Sequence, residues 1–205
     1  MGRGFLLALE GVDGSGKSTQ GRLLAASLEK QGREVILTGE PTHGLLGSKL
    51  RAYLQGNQRH LTPGEELALF MADRREHVER GIKTALAAGR IVITDRYYYS
   101  SVAYQGALGL DPGEILEENE RFAPRPHLVF LLVLPVSQAL ARLNRPRQVS
   151  EMAPYLEQVA AIYASLKDPW IQRLDAGVSP SDLHAALLAR TLRALEEFAG
   201  RRQGV

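Results

Sequence analysis

The 205-residue chain contains no cysteine, which excludes disulfides, thiolate metal sites and thiol catalysis and fits a reducing compartment. Long apolar runs are also missing. The first one, residues 5–9, is far too short to span a bilayer and lacks the layout of a signal peptide, so a soluble cytoplasmic protein without a membrane partner is expected. Neither sign of charge dominates: Lys and Arg total 25 against 23 Asp and Glu, a formal charge of +2. That balance argues against a dispersed nucleic-acid footprint and makes any basic function a local one. There is no internal repeat, low-complexity tract or linker, and 205 residues with 44% hydrophobic content make one substantial core but barely two. A single domain over residues 1–205 follows.

What the chain does have is an alternation of short apolar runs with longer amphipathic stretches, the pattern of an α/β protein whose parallel strands are joined by crossover helices. The runs at 5–9, 34–37, 91–94, 128–132 and 171–174 predict strands. Helices are predicted over 17–31, 63–88, 137–143, 155–166 and 180–198, with Gly32 and Gly89 placed as left-handed caps. Residues 143–154, with two prolines and little periodicity, read as a loop.

Ligands of such sheets gather at the carboxyl ends of the strands. After the first strand comes Gly11-Val12-Asp13-Gly14-Ser15-Gly16-Lys17-Ser18-Thr19, which satisfies GxxxxGK[ST] and opens into a helix. The glycines let backbone N–H groups converge on phosphate oxygens, and the helix N-terminus favours anions. Lys17 can reach terminal phosphates and the Ser18 hydroxyl can ligate Mg2+. The loop marks a nucleoside triphosphate site without fixing the reaction.

At the end of the third strand, Asp95-Arg96 puts a carboxylate beside a guanidinium; Asp95 can hold metal-bound water or orient an acceptor, and Arg96 can grip a phosphate. On the 63–88 helix, Arg74 interrupts a stripe of Leu67, Phe70, Met71, Val78, Ile82 and Leu86. A buried guanidinium needs an anion, either a carboxylate or a substrate phosphate. Phe70 lies one turn earlier on that face, so ring and cation can address one ligand; the alternative is Phe70 in the core with Arg74 reaching solvent. Residues 97–106, Tyr97-Tyr98-Tyr99-Ser100-Ser101-Val102-Ala103-Tyr104-Gln105-Gly106, mix rings and amides suited to a planar, hydrogen-bonding base.

Taken together, GVDGSGKST, Gly39-Glu40-Pro41, LFMADRREHV from Leu69 and DRYYYSSVAYQG from Asp95 resemble the thymidylate kinase family, from about Leu7 to the C-terminal helix. The resemblance implies a P-loop NTPase-type three-layer sandwich with a five-stranded parallel sheet flanked by helices. It implies a homodimer that uses ATP and Mg2+ to phosphorylate dTMP. Carried over residue by residue, it gives the loop from Gly11 to Thr19 and Arg142 to ATP, and Ser18 and Asp95 to the metal. Asp13 would approach the sugar 3′-hydroxyl, Phe70 would stack on thymine, and Arg74 and Arg96 would hold the acceptor phosphate. Ser101 and Gln105 would face the base, Tyr104 would press on the deoxyribose, and Pro41 would line the pocket. Two departures stand out. Bacterial members often show Arg-Glu-Pro where this chain has Gly39-Glu40-Pro41, and the lid, at about 142–154, is short and lacks the family's Asp-Arg-x-Glu segment. Because Gly14 replaces the phosphate-loop arginine of some members, a lid arginine, Arg145 or Arg147, is expected to join Lys17, Asp95 and Arg96 in catalysis.

Rival readings are a kinase for dUMP, dCMP or a nucleoside, a P-loop switch ATPase, and a silent binding protein. Two arginines aimed at an acceptor phosphate favour a monophosphate. No Asn-Lys-x-Asp guanine-reading motif supports a GTPase switch, and the intact Lys17, Ser18 and Asp95 speak against silence.

Overall fold

The structure, a computed structural model, describes residues 4–56, 60–143 and 153–201. The chain runs β1 (Phe5–Glu10), α1 (Lys17–Lys30), β2 (Val35–Gly39), α2 (Leu45–Gln55) and α3 (Pro63–His77). A π turn at Val78–Ile82 joins α3 to α4 (Lys83–Ala87), and β3 (Ile91–Asp95), α5 (Tyr98–Gly106) and α6 (Pro112–Glu120) follow. The chain ends in β4 (Leu128–Val133), α7 (Val136–Ala141), α8 (Ala153–Ser165), β5 (Ile171–Asp175) and α9 (Pro180–Gly200).

All five predicted strands are present, and they form one parallel sheet in the order β2-β3-β1-β4-β5. Every residue of the central β1 is buried, as is β4 up to its last residue, because helices cover both faces of a parallel sheet and its strands read as continuous apolar runs. Right-handed crossovers put α1 on one face and the connections after β2 on the other. The helix contacts divide the same way: α1 packs with α9, while α5 packs with α3, α6 and α8. The result is a three-layer sandwich. Gly32 and Gly89 take the left-handed conformation expected of them.

The predicted helix over 63–88 is one helical run interrupted by the π turn. Its start is set by Thr62, whose hydroxyl accepts from the Glu65 amide while the Glu65 carboxylate accepts from the Thr62 amide, with Pro63 at the first helical position. The π turn has a reason in the sequence. Arg74, Val78, Ile82 and Leu86 recur every fourth residue, and in an α-helix each such step drifts by about 40°. One widened turn removes most of that drift and keeps all four buried.

Strand order reverses at β1, which lies between β3 and β4 and therefore places the crevice of the sheet at its own carboxyl end. Leu9 and Gly39 both pair with Asp95, so the three strands end level. The amides of Arg96 and Glu40 then continue the ladder, donating to Leu9 O (2.9 Å) and Asp95 O (3.0 Å). These three strand ends supply one wall of the crevice.

Candidate active site

The crevice at this edge encloses about 1310 Å3, more than the roughly 300–1000 Å3 of a typical single-ligand site. The phosphate loop forms its floor, with Asp13 to Thr19 all on the lining. Gly11 and Val12 contribute from below: their carbonyls each accept from Lys17 Nζ at 2.9 Å, and Ser15 Oγ lies 3.4 Å away. Lys17 is only 5% exposed. Burial, reinforced by the nearby Arg96, pulls its pKa from 10.5 down to about 8. Ser18, the next residue, donates its hydroxyl to Asp95 Oδ2 across the loop–β3 gap.

Arg96 sits in the left-handed region (φ 70°), a conformation that is unfavourable for a residue with a Cβ and persists only where the surroundings over-determine it. They do so here. Its amide is held by Leu9 O, its carbonyl accepts from the Thr94 hydroxyl at 2.7 Å, and the next amide, Tyr97 N, donates to Glu10 Oε1 at 2.9 Å. This kink ends β3 and turns the Arg96 guanidinium back toward the phosphate loop, where it meets Asp13, Ser100 Oγ (3.1 Å) and Tyr104 OH (3.3 Å) and lies 4.9 Å from the Tyr104 ring centre. Tyr104 OH also accepts from the Asp13 amide at 3.1 Å, and burial raises its pKa, so the phenol keeps its proton. Asp13, Arg96 and Tyr104 therefore form one cluster bridging the loop and α5.

Behind this cluster lies Glu10, which the sequence reading passed over. It is fully buried, and its carboxylate accepts from the Tyr97 and Ser100 amides, the Ser100 hydroxyl (2.6 Å) and Tyr163 OH (2.9 Å). It thus caps the N-terminus of α5, where Tyr97 provides no side-chain cap. Burial raises its pKa against the pull of those donors and of Arg96. Its position, last in β1 and directly before the phosphate loop, was the signal that could have found it.

The opposite wall comes from α3 and α5. Phe70, half-buried, lines the crevice together with Ser101, Tyr104, Gln105 and Pro41. Tyr97, Tyr98 and Tyr99 do not: all three are in the core, so of the residues 97–106 only the polar face of α5 and Tyr104 serve the site.

Arg74 requires a correction. It is 1% exposed and does not line the crevice. The anion opposite it is a carboxylate: Glu40 Oε2 accepts from Nε at 2.8 Å and lies 2.7 Å from the second terminal nitrogen. The remaining N–H groups go to Asn119 Oδ1 (2.6 Å), Ser101 Oγ and Tyr97 O. No donor is left for an acceptor phosphate. Burial would raise the pKa of Glu40, but Arg74 and then His77, whose Nδ1 lies 3.0 Å from Oε1, hold its carboxyl below the usual range. Arg74 instead fastens α3 to β2 and α5 behind the pocket. A crevice cation absent from the sequence reading is Arg51 on α2, which bonds Pro41 O at 2.6 Å.

Arg142 also lines the crevice, with Val178 from the β5–α9 loop and Pro180 at the start of α9. Arg145 and Arg147 lie outside the described residues, as does most of the expected lid. Among the described residues no group of three or more His, Asp or Glu is placed to hold a metal ion unaided, and no helix is long and apolar enough to cross a membrane.

With this geometry in place, the thymidylate kinase family model matches residues 9–187 of the chain. Among curated relatives, a thymidylate kinase of Desulfotalea psychrophila is 43% identical over 94% of this chain and 96% of its own. One of Akkermansia muciniphila is 44% identical over 89% of both chains. A probable thymidylate kinase of Thermococcus gammatolerans is 43% identical over 88% of this chain and 92% of its own.

Proposed function

The chain belongs to the thymidylate kinase family, and on that footing we propose that its crevice passes the terminal phosphoryl group of ATP, with Mg2+ present, to the phosphate of dTMP, yielding dTDP. The observation that carries this reading is the pair of cations in one crevice, Lys17 on the phosphate loop and Arg96 at the end of β3. Two anionic reactants repel one another, and phosphoryl transfer asks the protein mainly for in-line placement and neutralisation of charge on the moving group. Lys17 would exchange its carbonyl partners for donor phosphate oxygens, which the converging loop amides also meet. Arg96 would hold the acceptor phosphate, and Asp13 beside it would accept from the sugar 3′-hydroxyl. Arg51, rather than Arg74, offers a second guanidinium to that phosphate.

Ser18 and Asp95 fit Mg2+: a hydroxyl and a carboxylate are hard oxygen donors, and an ion that keeps several waters and phosphate oxygens needs few protein ligands. Bound there, Mg2+ would neutralise charge on the phosphate oxygens. Phe70 would stack on the base, Ser101 and Gln105 would face its edge, and Tyr104 would lie against the deoxyribose. Arg142 would contact the donor, and Arg145 or Arg147 would approach the moving phosphoryl from the lid. A single domain, a homodimeric assembly and a cytoplasmic location complete the proposal.

The test is an acceptor panel: dTMP, dUMP, dCMP and thymidine incubated with ATP and Mg2+, following the diphosphate formed from each monophosphate and the monophosphate formed from thymidine. The proposal expects dTMP to be the best substrate and ATP hydrolysis without acceptor to be slow. Rapid hydrolysis indifferent to all four compounds would overturn it.

A further inference from the structure

Gln105 on α5 and Glu66 on α3 meet at the wall of the crevice, close to Phe70 in the lining, and are 2% and 1% exposed. Gln105 Nε2 donates to Glu66 Oε1 at 2.9 Å. A carboxylate can only accept, so this bond decides which way round the amide lies: the NH2 group points to Glu66 and the carbonyl is left over. That carbonyl oxygen, Gln105 Oε1, is buried and has no hydrogen-bond partner among the described residues. Glu66 lies in the first turn of α3, where the helix N-terminus favours an anion.

A buried amide oxygen without a donor is uncommon in a folded protein and calls for a partner from outside. On the wall of a nucleotide crevice, the natural partner is an N–H on the edge of a base. We infer that Glu66 is a positioning residue that sets base selectivity: by holding the Gln105 amide in one orientation it makes the pocket require a hydrogen-bond donor at the base edge. Thymine and uracil carry that donor as N3–H. Cytosine has a lone pair at N3, which would face the Gln105 oxygen and leave both acceptors unsatisfied. This inference rests on reading the crevice as a pyrimidine monophosphate site.

Glu66→Gln tests it, since the replacement keeps the shape but offers either an acceptor or a donor and so frees the Gln105 amide to turn over. The ratio of kcat/KM for dTMP to that for dCMP falls by about tenfold or more, mainly through a lower KM for dCMP, while KM for ATP is unchanged and dUMP follows dTMP. Gln105→Ala removes the reading group altogether, and in that background Glu66→Gln changes the ratio no further. An unchanged ratio in Glu66→Gln, an equal loss with all three acceptors, or a full effect of Glu66→Gln in the absence of Gln105 overturns the inference. Should Glu66→Gln not fold, Gln105→Ala with an unchanged ratio overturns it equally. Wild-type protein that binds neither dTMP nor dCMP in calorimetry overturns the reading of the site itself, and this inference with it.

Discussion

Lys17 places an ammonium among carbonyls in a nearly closed loop, and burial brings its pKa to about 8 from 10.5. Below pH about 8 folded and unfolded chains both carry the proton, so the stability carries the full burial penalty and does not vary with this group. Between about 8 and 10.5 the unfolded chain binds the proton and the folded chain does not, so stability rises with pH. In urea unfolding, Lys17→Met is therefore more stable than wild type at pH 7, by a margin that shrinks from pH 8 to 10.5. A margin independent of pH contradicts this account of the lysine. On the proposed function, the same substitution removes the cation that meets the donor phosphate and is expected to lower kcat by about 10²–10³-fold or more. Lys17 was legible in the sequence through the GxxxxGK[ST] spacing that follows β1, and Asp95 and Arg96 through their place at the end of β3. Arg74 was legible only as an anomaly. Helical spacing says which face a residue occupies but not what lies opposite, and its partner Glu40 is 34 positions away at the end of β2.

At the scale of elements, two packing contacts hold the crevice open in its working shape. Glu10 caps α5, and Glu10→Ala would strand the buried amides of Tyr97 and Ser100 at a cost of about 1–3 kcal/mol for each unsatisfied donor. Chemical denaturation should register that loss, and KM for dTMP should rise as the Arg96 kink loosens; unchanged stability contradicts the capping role. Gly14 has φ 83°, and a Cβ there would lie 2.2 Å from the carbonyl oxygen of Ala139 on α7. Gly14→Ala must displace α7, and with it the approach to Arg142, so KM for ATP is expected to rise more than KM for dTMP. That close approach also explains why the phosphate loop of this chain has no arginine at this position. The strands were legible because a buried parallel strand is an uninterrupted apolar run. α6 was missed although Asp111-Pro112 announces it with the same cap-then-proline device that starts α3 and α9. α2 has only two buried residues, Gly47 and Leu50, too few for an apolar stripe to stand out. α5 was read as a pocket segment because its tyrosines hide a helical register in an all-buried run.

For the whole molecule, a formal charge of +2 conceals a concentrated pattern: Lys17, Arg51, Arg96 and Arg142 open onto the crevice that also holds Asp13 and Asp95. The strand order 2-3-1-4-5 makes this possible, since β1 in the middle brings the phosphate loop beside the end of β3, with the end of β2 one strand further out. A volume of about 1310 Å3 leaves room for a donor and an acceptor together. The central claim is that two phosphate groups meet there, one under the control of Lys17 and the other of Arg96. A crystal structure with dTMP bound tests it most directly. The account predicts the phosphate within hydrogen-bond distance of the Arg96 guanidinium, with the thymine ring on Phe70 and the phosphate loop left for the donor. A dTMP phosphate seated on the Lys17 loop, or remote from Arg96, would contradict it.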